Sequence, residues 1–405
     1  MYRLESVHKN PTVGALLGNS ALGVEIFLVL SGFLGGRSWL KRADQPFFAH
    51  YRAFIIRRVL RLTPSVIFFI YIATSSLSKH LLPRFHSSMI SSCSMSSIAS
   101  HLIFLGNWQS TPTCLGYLWY LGLDFQLYML APFLLYSLYE WPLFGKILCA
   151  FLIIASMILR AGYCTVYNIC HKSDVDIPFI AFPGQEESDI REIYAGIWEM
   201  YARPYTKCGP FILGLLLGTA TISMKPFLTV RTSRLIASTF FALCISVVYA
   251  ILPQYWYGNY FKQYNMYYTA SFRTIFAIGI CGMILAIISQ QTSKSTSFMW
   301  SLLARLTYNT YLLHMPVIYL FNYSQFLQQA KTASELMMVV PFVAILCFIV
   351  SSIFYIFVEA PLGRLTSSWA DQIEAVLVSS IGSLRYFIVS VPIRRLLKYY
   401  ACTGL

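Results

Sequence analysis

Apolar runs of roughly 20 residues recur from one end of the chain to the other, separated by short polar or charged stretches. A helix of that length crosses about 30 Å of hydrocarbon. Reading in windows of about 19 residues predicts membrane-spanning helices over 21–36, 59–78, 116–139, 143–160, 208–224, 235–252, 270–290, 303–321 and 336–358. The first is short because Arg37 follows directly, so part of its length is expected from residues 15–20. The pattern therefore defines an all-α, polytopic helical membrane protein with about nine transmembrane helices.

Composition supports this reading. The chain is 57% hydrophobic and 11% charged, against about 25% charged in an average soluble domain. One soluble core could not hide so many apolar side chains, which excludes a large buried α/β enzyme. The formal net charge of +14 would suggest a nucleic-acid partner in a soluble protein. Here the basic residues lie between the apolar runs, so positive-inside placement accounts for them and no nucleic-acid partner is expected. Segment 37–58 holds Arg37, Lys41, Arg42, Arg52, Arg57 and Arg58 against Asp44 alone. Lys225, Arg231, Arg234, Lys294 and Arg305 follow, then Arg364, Arg385, Arg394, Arg395 and Lys398. These segments fall on one side if every span crosses, and that side is cytoplasmic. The opposite segments differ in kind: 161–206 carries Asp174, Asp176, Glu186, Glu187, Asp189, Glu192 and Glu199, and 79–115 is rich in Ser, Thr and Cys.

Residues 1–20 are polar and mixed, without the apolar stretch of a cleavable signal peptide. Segment 21–360 is read as the transmembrane domain and 361–405 as a basic cytoplasmic or interfacial tail. Within it, 373–399 carries Arg385 near its middle, which favours an interfacial helix over a further crossing. Cys93 and Cys114 share one external segment, and Cys164 and Cys170 another. On the oxidising side of a membrane both pairs can bridge. The Cys93–Cys114 disulfide is expected, whereas 164–170 is left open between a bridge and free thiols.

Polar groups inside apolar spans are costly and call for a compensating role. Asp124, in WYLGLDFQLYMLAPFLL, stands a few residues inside one span, with Gln126 and Tyr128 beside it. Helical spacing puts Tyr117, Tyr120, Asp124 and Tyr128 on one face. The carboxylate can act as an acid/base or orienting group, or as a structural hydrogen-bonding centre between helices. His314, in LTYNTYLLHMPVIYL, shares a face with Thr307 and Tyr311. Its imidazole can accept a proton, although residue type alone favours a buried, satisfied histidine. Arg57, Arg58 and Arg61 in RRVLRLTP open the second span, with Arg57 and Arg61 on one stripe. That stripe suits a phosphate-bearing ligand and equally suits snorkelling and positive-inside anchoring. Gly214 and Gly218 form a GxxxG suited to close helix packing. No Gly-rich phosphate loop, HExxH, CxxC pair or GxSxG elbow occurs, and no metal site is expected.

Four ordered segments carry a family resemblance. LGVEIFLVLSGFLGG followed by RRVLRLTP, WYLGLDFQLYMLAPFLL with Trp119 at its head, LTYNTYLLHMPVIYL and FVEAPLGRL resemble the acyltransferase 3 family between about residues 18 and 366. RPYTKCGPFILGLLLG is similar to a segment of its animal branch, the nose-resistant-to-fluoxetine type. The resemblance implies acyl transfer from an acyl-CoA-type donor to a hydroxyl acceptor, with acyl-CoA as co-substrate and no resident cofactor. It further implies Arg57, Arg58 and Arg61 facing the cytoplasmic donor. Asp124 and His314 would be catalytic, with Gln126, Tyr128, Trp119 and Tyr311 lining the intramembrane site. Membrane lipids would be neighbours, and the plasma membrane or endoplasmic reticulum the location. The family also has an earlier span with an Arg and, about eleven residues on, a histidine regarded as the catalytic base. Here only some twenty residues, polar and mixed, precede GVEIF, and His8 does not inherit that role. The sequence is read as truncated rather than as a protein that has lost its chemistry, because Asp124, His314 and the arginines are kept. The alternative function is a non-catalytic lipid or small-molecule transporter, for which the intramembrane carboxylate speaks but no inverted repeat does.

Overall fold

A computed structural model describes residues 11–41, 47–109, 114–171, 187–290, 298–321 and 333–366, with 368, 369 and 372. In chain order the helices are α1 (Pro11–Gly18), α2 (Leu22–Leu40), α3 (Phe47–Thr74), α4 (Ser76–Leu81), α5 (Pro83–Met89), α6 (Met95–Leu102), α7 (Trp119–Glu140) and α8 (Pro142–Val166). There follow α9 (Glu187–Ala202), α10 (Pro204–Ala220), α11 (Val230–Tyr249), α12 (Leu252–Tyr257), α13 (Lys262–Ile288), α14 (Phe298–Phe321) and α15 (Ala333–Phe354). A π-helical turn at Tyr355–Glu359 extends α15. The fold is all-α: among the described residues, the only β pairing is an isolated bridge between Leu228 and Gln290.

Each of the nine apolar runs overlaps a helix of 17 residues or more. Six helical stretches are long and apolar enough to cross a bilayer: Leu22–Leu40, Gly116–Glu140, Pro142–Val166, Val230–Gln254, Lys262–Ile288 and Met338–Thr366. The chain is an integral membrane protein, and α8 shows what the surrounding solvent must be. Leu143, Ile147, Phe151, Ile154 and Ile158 all point outward from it, a continuous apolar stripe that water would penalise and acyl chains accept. The other three runs lie on α3, α10 and α14. Helix α3 reaches back to Phe47 and so takes Arg52, Arg57, Arg58 and Arg61 into the helix, while α10 is only 17 residues long.

The first run differs from its expected extent. Residues 11–18 form the separate α1, and α2 gains its length at the other end, passing through Arg37 to Leu40. The charge is accommodated there because Arg37 donates to both the carbonyl and the hydroxyl of Thr221 at 3.2 and 3.3 Å. It thereby satisfies carbonyl capacity at the end of α10. The tail 373–399 and the acids Asp174, Asp176 and Glu186 lie outside the described residues.

Two compact units divide the chain. The first comprises residues 1–42, 123–293 and 394–405, and the second 43–122 and 294–393. In the first unit α2 and α10 lie side by side with backbone almost touching backbone. A Cβ on Gly214 would fall 2.0 Å from the Val29 carbonyl oxygen, and one on Gly218 would fall 2.4 Å from that of Phe33. Gly32 meets the Phe211 carbonyl oxygen in the same way at 2.1 Å. Both partners advance four residues between contacts (29 to 33, 214 to 218), so the helices run parallel. Small residues on both helices permit this approach, as in GxxxG pairs. Around the pair, Leu22, Val29, Val247, Phe272, Phe276 and Ile280 form a buried cluster.

In the second unit α14 packs against α15 and α5, and α3 against α4, α6 and the π turn. The π turn adds a residue to the last span and aims Glu359 at α14, where Asn309 Nδ2 donates to Glu359 Oε2 at 2.6 Å. Such turns interrupt a helix to place one side chain.

Candidate intramembrane site

In the second unit, the 3-10 turn Gly116–Leu118 leading into α7 meets the middle of α14. Tyr117 OH donates to the Leu312 carbonyl at 3.1 Å, and Tyr311 OH donates to the Tyr117 carbonyl at 2.7 Å. The two phenols thus lock the turn and the helix reciprocally. Phe69 of α3 lies 6.5 Å from the Tyr117 ring, and Tyr120 lies 5.6 Å from Tyr311, each pair edge-to-face.

His314 sits against this aromatic group, its ring 5.4 Å from Tyr117 and nearly perpendicular to it. Its Nδ1 is 2.7 Å from the Tyr311 carbonyl oxygen. A carbonyl oxygen can only accept, so Nδ1 is assigned the proton and Nε2 carries the lone pair. His314 is half-buried, and this contact fixes its tautomer.

Six residues before His314 on α14, Tyr308 OH donates to the Leu62 carbonyl at 2.9 Å. Arg58 and Arg61 both act electrostatically on Tyr308, and Arg61 also acts on Glu359. The grouping on α3 is thus Arg58 with Arg61, three residues apart, as well as the Arg57–Arg61 stripe expected from spacing. Arg57 and Arg58 are half-buried and Arg61 is exposed. Asn309 is wholly buried between α14 and the π turn. Trp119 is buried and meets Tyr120 edge-on at 6.1 Å.

The remaining expected residues belong to the first unit. Asp124 and Tyr128 are buried on α7, and Gln126 between them is half-buried. Tyr128 lies along Gly35 of α2, where a Cβ would stand 3.4 Å from its ring. The first half of α7 is buried on every side from Leu121 to Phe125, so a one-face reading of Tyr117, Tyr120, Asp124 and Tyr128 understates its enclosure.

The same unit contains a charge cluster that spacing does not reveal. Glu25 of α2 is fully buried, and its Oε1 accepts from Lys207 Nζ of α10 and, at 2.9 Å, from Arg273 of α13. Lys207 and Arg273 also stand over the Tyr201 ring, at 4.6 and 5.4 Å. Glu25 Oε2 is buried without a hydrogen bond among the described residues. The available signal was simple: an acid inside one apolar run and two cations at or inside others, each prohibitive unless paired.

Both cysteine pairs are bridged, Cys93 to Cys114 with S–S 2.05 Å and Cys164 to Cys170 with 2.04 Å. Beside the first bridge, buried His101 donates from Nε2 to the Cys114 carbonyl at 2.8 Å. Burial lowers its pKa below the ordinary 6.5, against the raising effect of that bond. Near the second, burial alone would raise the Glu199 carboxyl. Hydrogen bonds from Arg203 and Tyr205 outweigh burial and lower it, while Tyr205 is raised by burial and by Glu199.

Hydrogen-bonded aromatic side chains in one unit and an enclosed charge cluster in the other lie on the helices of an integral membrane protein. Residues 2–357 match the acyltransferase 3 family, described as an acyltransferase domain, and the chain belongs to that family. It is 55% identical over 369 residues to the Regulator of hypoxia-inducible factor 1 of Caenorhabditis elegans, covering 91% of this chain and 74% of that protein. It is also 24% identical over 347 residues to the Nose resistant to fluoxetine protein 6 of the same organism, covering 76% and 40% respectively. No solved structure matches the chain.

Proposed function

We propose that the chain moves an acyl group from an acyl-CoA-type thioester to a hydroxyl acceptor at the membrane, with His314 as general base. The supporting observation is the fixed tautomer: Nδ1 is held on the Tyr311 carbonyl, which leaves Nε2 to take a proton. In the reaction Nε2 accepts the acceptor's hydroxyl proton as its oxygen attacks the thioester carbonyl. The C–S bond then breaks, the ester forms, and the imidazolium returns its proton to the departing thiolate. Arg58 and Arg61, with Arg57 beside them, bind the phosphates of the donor, as guanidinium forks suit phosphate oxygens. Tyr311 and Trp119 line the site. By family resemblance, Asp124 orients the acceptor, with Gln126 and Tyr128 beside it. Membrane lipids surround the bundle. The plasma membrane or endoplasmic reticulum is the proposed location, a reading the two bridged segments support because disulfides persist on an oxidising face.

The test uses the full chain in lipid nanodiscs, with thiol release from acyl-CoA followed in the presence of pooled hydroxyl acceptors. His314→Gln should lower kcat by about 10²–10⁴, the range for loss of a general base. Thiol release that no acceptor stimulates, or a His314→Gln protein as active as the parent, sinks the reading.

A further inference from the structure

Tyr117 contacts His314 yet has no part in the proton transfer just described. What holds it there is unusual. Two residues before it, Leu115 adopts left-handed backbone angles, φ 46° and ψ 41°, while wholly buried. A bulky residue with a Cβ reaches that region only when its surroundings enforce it. Here three constraints converge. Cys114 is tied to Cys93, its carbonyl is held by His101, and the Leu115 amide donates to the Met89 carbonyl at 2.9 Å. The turn then closes with Leu118 N on the Leu115 carbonyl. It delivers the Tyr117 ring to the face of His314 and the Tyr117 hydroxyl to Leu312.

We propose that Tyr117 is a positioning residue for His314, and that the Cys93–Cys114 bridge maintains it through the enforced turn at Leu115. This rests on His314 as the reactive imidazole but not on the acyl reaction itself. Opening the bridge removes one of three constraints on a strained turn. Leu115 relaxes toward an ordinary conformation, Tyr117 leaves the imidazole, and both the orientation and the shielding of His314 change. The bridge outside the membrane thus sets the geometry of a base inside it.

The experiment measures carbethoxylation of His314 by diethyl pyrocarbonate in the purified full chain, quantified by mass spectrometry against exposed His80 as internal reference. Four preparations are compared: parent protein, parent treated with a phosphine, Cys93→Ala/Cys114→Ala, and Tyr117→Phe. The phosphine takes the disulfide to two thiols and becomes its oxide. A Cys164→Ala/Cys170→Ala protein, with and without phosphine, controls for the second bridge. The His314/His80 ratio should rise about threefold to tenfold on loss of the first bridge, the population shift that loss of one edge-to-face ring contact allows. It should rise by less in Tyr117→Phe, which keeps the ring and loses only the hydroxyl bond. Phosphine should act on the Cys164→Ala/Cys170→Ala protein as on the parent and add nothing to Cys93→Ala/Cys114→Ala. An unchanged ratio in monodisperse bridge-free protein overturns the proposal. If the ratio rises while no preparation transfers acyl groups, the positioning role stands and the enzymatic reading fails.

Discussion

Glu25 and Arg273 lie 248 residues apart in the chain and meet at 2.9 Å, each side chain no more than 2% exposed. Lys207 joins the same carboxylate oxygen. Removing one member of a buried ionic group strands the others and costs about 3–5 kcal/mol, whereas apolar replacement of the whole group is often neutral. Glu25→Ala should therefore sharply lower the thermal midpoint in detergent, and Glu25→Leu/Lys207→Met/Arg273→Met should recover most of the loss. A triple variant no better than the single one would refute this account.

The parallel crossing of α2 and α10 gives a second expectation. Gly32→Ala or Gly214→Ala drives a methyl group into a backbone carbonyl about 2 Å away, and backbone cannot step aside cheaply. A loss of about 1–3 kcal/mol is expected, as for overpacked cores. Gly162→Ala, with nothing within 4 Å of the added carbon, should leave the melting curve unchanged. Differential scanning fluorimetry on the three variants reads both outcomes.

Much of this architecture is visible in the amino acids before any coordinates. The nine apolar runs fall on helices because span length is a local property, written as about 20 contiguous residues. The family is equally legible, since its segments are short, ordered and contiguous. Glu25 was legible only as a letter of GVEIF, because its partners arrive from two other spans and no local period connects them. Arg37 reads from sequence as the end of the first apolar run, yet α2 continues past it since Thr221 supplies acceptors. The tautomer of His314 depends on which carbonyl faces Nδ1, and the placing of Tyr117 on the backbone angles of Leu115. Neither can be read from residue type.

His101 carries a pH expectation. Its folded pKa lies below the unfolded 6.5 because burial disfavours the cation. Below pH 6.5 the unfolded chain therefore binds more protons than the folded one. The stability this residue contributes is complete above 6.5 and declines as pH falls toward its folded pKa. Thermal midpoints measured downward from pH 7.5 should fall more steeply for the parent than for His101→Gln. Parallel curves would remove His101 from the acid response.

Arg61 should separate charge from fork geometry. With acyl-CoA as donor, Arg61→Ala should raise KM about tenfold, the weight of one charge-assisted hydrogen bond, with Arg61→Lys in between. With an acyl-pantetheine donor lacking phosphate, the same variants should match the parent. Equal losses on both donors would assign Arg61 to anchoring instead.

The Glu25 cluster also sets a schedule for making the protein. Its carboxylate leaves the ribosome 182 residues before Lys207 and 248 before Arg273. At about 5–20 residues per second, Arg273 follows roughly 10–50 s later. Throughout that interval the nascent α2 holds an acid that lipid will not accept and a glycine face with nothing to pack on. The burial of Glu25 in α2 is therefore expected to be completed from downstream, once α10 and α13 have emerged.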